Sequence, residues 1–232
     1  MGLQDHPCRL DEERRRLLQR IIACVAQWRC EIGRAALAPN VMAAIARVPR
    51  ESFVPPSRRA RAYLDEPLDI GCGQRISAPS IVAVMTDLLD LEPHHRVLEV
   101  GTGCGYQTAV LSQLAGQVLS VELEEELALG AVVRLARLGC ANVAVRVGDG
   151  SEGWPKHAPF DRILVTAAGR DVPEALLDQL RRVGRMVLPL GERSDQRLVV
   201  VDKLPSGHVR RRDLLPVRFV PLRSEPMIVL EG

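Results

Sequence analysis

The chain has 232 residues, of which 47% are apolar and 26% charged, enough to bury a substantial core with an ordinary charged share. The net charge of +2 and an aromatic content of 3% argue against nucleic acid or an anionic membrane as partner, since neither a strong field nor many stacking rings are present. No apolar run approaches the roughly 18–20 residues of a membrane span, and Asp5, His6, Arg9, Asp11 and Glu12 leave no apolar signal-peptide core at the start; a cytoplasmic protein is expected.

In chain order, residues 10–32 read as a helix, with Leu17, Ile21, Val25 and Trp28 at helical spacing and Gly33 as its stop. That stripe is expected to pack within its own chain, so a monomer is expected. A short helix follows Pro39 and Asn40, carries Met42, Ile45 and Val48, and stops at Pro49, because proline disfavours a helical residue before it. Segment 49–75 reads as loop, with Pro55, Pro56, Pro67, Gly71 and Gly73. Helix resumes over 79–91, and His94 and His95 after Pro93 read as surface residues of a turn.

From residue 96 the pattern alternates. Strands are predicted at 96–100, 117–121, 144–147, 162–166 and 185–189. Helices are predicted after the first strand, at 124–138 and at 172–180. An acidic first turn suits the dipole of the 124–138 helix, and Gly139 stops it. Such alternation predicts a mostly parallel sheet covered on both faces. Residues 198–204 and 212–222 flank a Pro-Ser-Gly turn and predict an antiparallel finish. The fold class is therefore α/β and doubly wound. A single domain of 1–232 is expected, with a helical and loop extension at 1–92 and a binding core at 93–232.

Strand 96–100 runs into Gly101-Thr102-Gly103-Cys104-Gly105. Glycines at a strand's carboxyl end let a ligand approach the backbone, and the following helix offers free N–H groups. Glu122 closes the next strand, where a carboxylate can accept both hydroxyls of a ribose. A dinucleotide fingerprint would need glycine at 106, which is Tyr106. Glu99 would repel a pyrophosphate but suit the amino group of a methionine moiety. Gly148-Asp149-Gly150 ends a third strand, where an aspartate and its backbone can meet an adenine edge. Together these narrow the ligand to S-adenosylmethionine. The six scattered cysteines form no C-x-x-C pair and the five histidines no H-E-x-x-H, so no metal is signalled and the cysteines read as free thiols.

With those residues in place, the chain resembles the protein-L-isoaspartate O-methyltransferase family. The likeness runs through VPRESFVP (Val48–Pro55), DEPLDIGCGQRISAPSIVAVM (Asp65–Met85), VLEVGTGCGYQ (Val97–Gln107), GDGSEGWP from Gly148, APFDRILVTAA from Ala158, LPLG (Leu188–Gly191) and VRFVPL (Val217–Leu222). The resemblance implies a Rossmann-like class I methyltransferase sheet. It implies methyl transfer from S-adenosylmethionine, leaving S-adenosylhomocysteine, to the α-carboxyl of L-isoaspartyl residues in damaged proteins. On matching positions it makes Ser77 the active-site serine. Cofactor contacts would come from Ile76, Ser77, Glu99, Gly101, Thr102, Gly103, Glu122, Leu123, Asp149, Gly150 and Gln196. Two positions depart from the family pattern. Cys104 replaces a usual serine and Arg75 a usual threonine. For Arg75 two roles stay open, a contact to the substrate carboxylate or a side chain in solvent.

A carboxylate acceptor is already ionised at neutral pH, so no strong base is required, in keeping with the lack of a histidine near these motifs. Catalysis would rest on alignment and exclusion of water. Read without the resemblance, Ser77 is a loop serine and a candidate helix N-cap. Three rival readings are compatible with these residues. One is methylation of a different peptide or small-molecule carboxylate. Another is a nucleic-acid module using Arg210, Arg211 and Arg212. The last is an inactive scaffold of the same fold.

Overall fold

The computed structural model describes residues 7–192 and 194–224; Asp5 and His6 lie outside them. Helix α1 (Pro7–Gln27) buries Leu17, Ile21 and Val25 against two later helices of its own chain, α3 (Pro39–Arg47) and α4 (Pro79–Leu88). The helix predicted over 10–32 breaks at Trp28 and resumes for one turn as α2 (Arg29–Ile32). Gly33, at φ 69, ends it in the left-handed conformation that costs glycine nothing. Among the described residues no helix is long and apolar enough to cross a membrane.

Segment 49–75 is more ordered than its prolines and glycines suggest. Residues 50–53 and 56–61 form 3-10 turns, and β1 (Leu68–Gly71) pairs antiparallel with β2 (Gln74–Ile76). Gly71, Cys72 and Gly73 all take positive φ in the connecting turn. A cysteine there hides the hairpin from sequence, because the usual signal is Asn-Gly or Asp-Gly between longer alternating runs.

The remaining strands are β3 (Arg96–Val100), β4 (Gln117–Glu122), β5 (Val143–Val147), β6 (Phe160–Val165), β7 (Leu180–Glu192), β8 (Asp195–Lys203) and β9 (Val209–Val217). They form one sheet in the order β5-β4-β3-β6-β7-β8-β9. Pairings from β5 to β7 are parallel, and β8 and β9 add on antiparallel. Helices α5 (Tyr106–Ser112), α6 (Glu125–Arg137) and α7 (Glu174–Gln179) make the crossovers. The predicted α/β, mostly parallel sheet with an antiparallel end is the one observed.

Successive strand residues point to opposite faces, and both faces are covered. Val97, Val118, Leu164 and Val187 pack in a cluster with Leu17, Ile45 and Val84 of the N-terminal helices. Leu98, Leu119, Ile163 and Met186 pack on the other face with Leu176 of α7. Two-sided burial is why these strands read as continuous apolar runs. One surface expectation fails. His94 is exposed, but His95 is buried and its Nδ1 accepts the Glu92 backbone N–H at 2.9 Å. The tight turn at Pro93 leaves His95 facing inward at the foot of β3.

Candidate active site

The chain runs β3, β4, β5 in one direction across the sheet, then returns to β6 on the other side of β3. That reversal opens a crevice at the carboxyl ends of β3 and β6, where open α/β sheets bind ligands. The glycine loop lies there. Gly101, at φ 93, sits so close to β6 that a Cβ would lie 2.3 Å from Thr166 Oγ1. The Thr166 hydroxyl faces the carbonyls of Gly101 at 2.7 Å and Val100 at 3.1 Å. Gly150, one residue after Asp149, would bring a Cβ to 2.3 Å from Val100 Cγ1. Only backbone fits at either point.

Glu122 braces the loop from the neighbouring strand. One of its carboxylate oxygens accepts the Gly103 N–H at 2.7 Å and the other the Glu124 N–H at 3.0 Å. Glu99 does not reach the cleft. It is fully buried beneath the loop, where Oε2 accepts hydroxyl hydrogens from Thr108 at 2.5 Å and Ser120 at 2.6 Å. Thr102 Oγ1 lies 2.6 Å from Ser120 Oγ, so Glu99 acts on the loop through two hydroxyls. Burial pushes its carboxyl up to about 8, against the pull of those hydrogen bonds, with the nearby Glu122 charge adding to the rise. Its Oε1 has no hydrogen-bond partner among the described residues. Instead of the direct charge contact expected of it, Glu99 is left by desolvation largely protonated at neutral pH and behind the floor.

The Ser77 segment is fixed by Arg50, a fully buried guanidinium that the sequence reading passed over. Its Nη1 donates to the carbonyls of Ala62 at 2.6 Å and Leu64 at 3.5 Å, and its Nη2 to those of Glu66 at 3.1 Å and Ser77 at 2.9 Å. Five donors on a rigid fork let one side chain hold four carbonyls of an irregular segment. Burial lowers the Arg50 pKa, opposed by the nearby Tyr106 and Cys104. Ser77 is not the N-cap of α4. That position is Ala78, with no side-chain cap bond, and the Ser77 hydroxyl makes no hydrogen bond to any described residue.

The cleft brings together Ile76, Ser77, Gly101, Thr102, Gly103, Glu122, Leu123 and Gly150. Asp149 stands just behind its wall, its Oδ1 accepting from the Ser151 N–H and hydroxyl at 2.7 Å each. Gln196 lies elsewhere. Its amide accepts the Phe219 N–H at 2.6 Å and donates to the Phe219 carbonyl at 3.2 Å. That contact anchors a strap, where strand is predicted through residue 222. Strand β9 ends at Val217, and the following residues cross the cleft. Val220 accepts from the Ala168 N–H and Leu222 donates to the Ala168 carbonyl, both at 2.8 Å, and Arg223 pairs with Glu124.

A second cavity, of about 650 Å³, opens beside the cleft. The two share Arg75, Ser77, Thr166, Val220 and Pro221, so Ser77 stands at their junction. Among the described residues no histidine lines either one. Among the described residues the one grouping with metal-ligand chemistry, Glu92, His94 and His95, lies at the opposite end of β3, and His95 Nδ1 is already occupied.

A doubly wound sheet, a glycine loop at its switch point, a strand-end carboxylate and an adjoining open cavity together define a class I methyltransferase. The chain matches the family model described as Protein-L-isoaspartate(D-aspartate) O-methyltransferase over residues 29–226. It is 50% identical over 210 residues to Protein-L-isoaspartate O-methyltransferase 2 of Polaromonas sp., covering 90% of this chain and 100% of that one. It is 56% identical over 192 residues to Protein-L-isoaspartate O-methyltransferase of Anaeromyxobacter dehalogenans, covering 82% and 92%. A solved structure titled protein-L-isoaspartate O-methyltransferase superposes with a TM-score of 0.76 at 28% identity, covering 90% of this chain and 65% of that longer one. The chain belongs to the protein-L-isoaspartate O-methyltransferase family.

Proposed function

We propose that this chain methylates the α-carboxyl of L-isoaspartyl residues in damaged proteins and peptides, using S-adenosylmethionine. The observation that carries this reading is the junction at Ser77, where a glycine-floored cleft meets a separate open cavity. One space suits a cofactor and the other a peptide. The cleft fits the cofactor in kind. Its floor is backbone at Gly101 and Gly150, where a Cβ would clash. Glu122 presents a carboxylate for ribose hydroxyls. In this reading Gly101, Thr102 and Gly103 hold the methionine end, with Glu99 stiffening them from below. Glu122 and Leu123 hold the ribose, Gly150 with Asp149 the adenine, and Ile76 adds apolar wall.

S-adenosylmethionine supplies, when bound, a methyl carbon that an ionised carboxylate can attack without a base. The protein's task is placement. Arg50 locks the Ser77 backbone, leaving the hydroxyl to orient the acceptor carboxylate at near-attack distance. The strap of residues 218–223 limits water at the junction.

The same reading makes the chain a single-domain monomer acting in the cytoplasm on peptides rather than nucleic acid. In support, the apolar stripe of α1 is spent inside its own core. The Arg210–Arg212 cluster is also engaged. Arg210 pairs with Asp202 at 3.0 Å, Arg212 lies 3.9 Å from the same carboxylate, and Arg211 pairs with Asp213 at 2.7 Å.

The test is a methylation assay with labelled donor on an isoaspartyl peptide and its aspartyl twin. Methylation of the first alone is expected, and equal labelling of both, or of neither, would overturn the reading. Ser77→Ala should lower turnover about tenfold or more while leaving donor affinity within about twofold; unchanged turnover would remove Ser77 from the reaction.

A further inference from the structure

We propose that Arg75 recognises the acceptor's free carboxylate and sets this chain's preference for a charged acceptor, an inference that rests on the site reading above. Arg75 lies on β2 and lines both the cofactor cleft and the second cavity. A reacting carboxylate has to stand where those two spaces meet. Five residues are common to both. Val220 and Pro221 offer no side-chain donor. The single hydroxyl hydrogen of Thr166 is directed at the carbonyls of Gly101 and Val100. Among the side chains of these five residues, only the Ser77 hydroxyl and the Arg75 guanidinium remain as donors, and only Arg75 is charged.

That guanidinium is uncommitted. Arg75 is exposed and makes no hydrogen bond or ion pair with any described residue. Its cross-strand partner is Asp69, whose Oδ1 instead accepts the Gly71 N–H at 2.9 Å. The other arginines near the junction differ. Arg50 is fully buried with both Nη groups spent on carbonyls, Arg223 is paired with Glu124, and Arg218 lines only the second cavity. A planar fork with five donors matches a carboxylate in a way that the neutral hydroxyl beside it does not.

The electrostatics fix which kinetic constant Arg75 governs. The acceptor carries a full negative charge before transfer and none as the methyl ester. A cation beside it therefore stabilises the bound acceptor at least as strongly as the transition state, which appears in affinity rather than in turnover. The neutral ester loses that hold, so the same residue favours release of product.

The experiment uses the full chain and two fluorescent peptides, an isoaspartyl peptide and its twin with the α-carboxyl converted to carboxamide. Binding is measured with S-adenosylhomocysteine present, at low and high salt, for wild type, Arg75→Ala and Arg75→Lys. Wild type should bind the carboxylate form about tenfold or more tightly, the size expected of a charge-assisted hydrogen bond, and less so at high salt. Arg75→Ala should bind both peptides within about twofold of each other. Its KM should rise about tenfold with kcat within about twofold, and Arg75→Lys should fall between. Because the side chain is exposed, melting curves should coincide. If Arg75→Ala keeps the wild-type discrimination and KM, the inference is overturned while the function stands. If wild type neither binds nor methylates the isoaspartyl peptide, the site reading itself fails and takes this inference with it.

Discussion

Glu122, the last residue of β4, accepts the backbone N–H of Gly103 at 2.7 Å, so the end of one strand holds the loop that leaves its neighbour. Its second oxygen steadies the start of α6 through Glu124. Glu122→Ala removes both braces and, in the proposed site, the ribose acceptor with them. We expect S-adenosylmethionine affinity to fall about tenfold or more, with Glu122→Gln between alanine and wild type. Titration calorimetry measures it, and an unchanged Kd would detach Glu122 from the cofactor.

Gly101→Ala should be far costlier than its size suggests. Its φ is 93 and its Cβ would meet Thr166 Oγ1 at 2.3 Å. Thr166 cannot move aside without giving up its contact with the Gly101 carbonyl. Gly139 is the control, with φ 70 but nothing within 4 Å of its Cβ. Gly139→Ala should cost only the left-handed strain, about 1–2 kcal/mol. Gly101→Ala should cost clearly more and abolish cofactor binding, which thermal melting with and without S-adenosylmethionine will separate.

Arg50 is buried with four carbonyls and no carboxylate in hydrogen-bond contact. Arg50→Ala strands those carbonyls and should destabilise the fold by about 3 kcal/mol or more. For a chain of this length that lowers Tm by roughly 6–12 °C. Arg50→Lys keeps the charge but not the fork, and should recover less than half the loss. Equilibrium denaturation of the three proteins checks the ranking.

Glu99 makes stability fall with pH. Its carboxyl is pushed up to about 8 in the fold from an ordinary 4.5. Between those values the folded chain holds a proton that the unfolded chain has released, so the unfolded state binds fewer protons and stability declines as pH rises. The decline is at most about 1.4 kcal/mol per pH unit from this one group. Glu99→Gln should flatten it. Relative to wild type, the variant should gain stability by a few kcal/mol between pH 5 and pH 8. Parallel stability profiles over that window would show Glu99 ionising normally.

The sequence by itself determined what is encoded over a few consecutive residues. Alternating strand and helix periods predicted the sheet. Gly33 and Gly139 marked helix ends, and both adopt positive φ. The loop at Gly101–Gly105 and the strand-end Glu122 named a cofactor class, because glycine conformation and a strand terminus are local properties. The hairpin at 68–76 escaped because its strands are short and Cys72 occupies the turn.

What only the tertiary structure decided is which distant side chains meet, and in what solvent. Glu99 precedes the glycine loop by two residues, yet burial rather than proximity sets its charge. Gln196 reads as a site residue and serves as an anchor for Phe219. Ser77 and Arg75 come from a hairpin, Thr166 from the end of β6 and Pro221 from the strap, and they share one junction. No local propensity specifies that convergence. It follows from two-sided packing of the sheet, which fixes where segments far apart in the chain can come to rest.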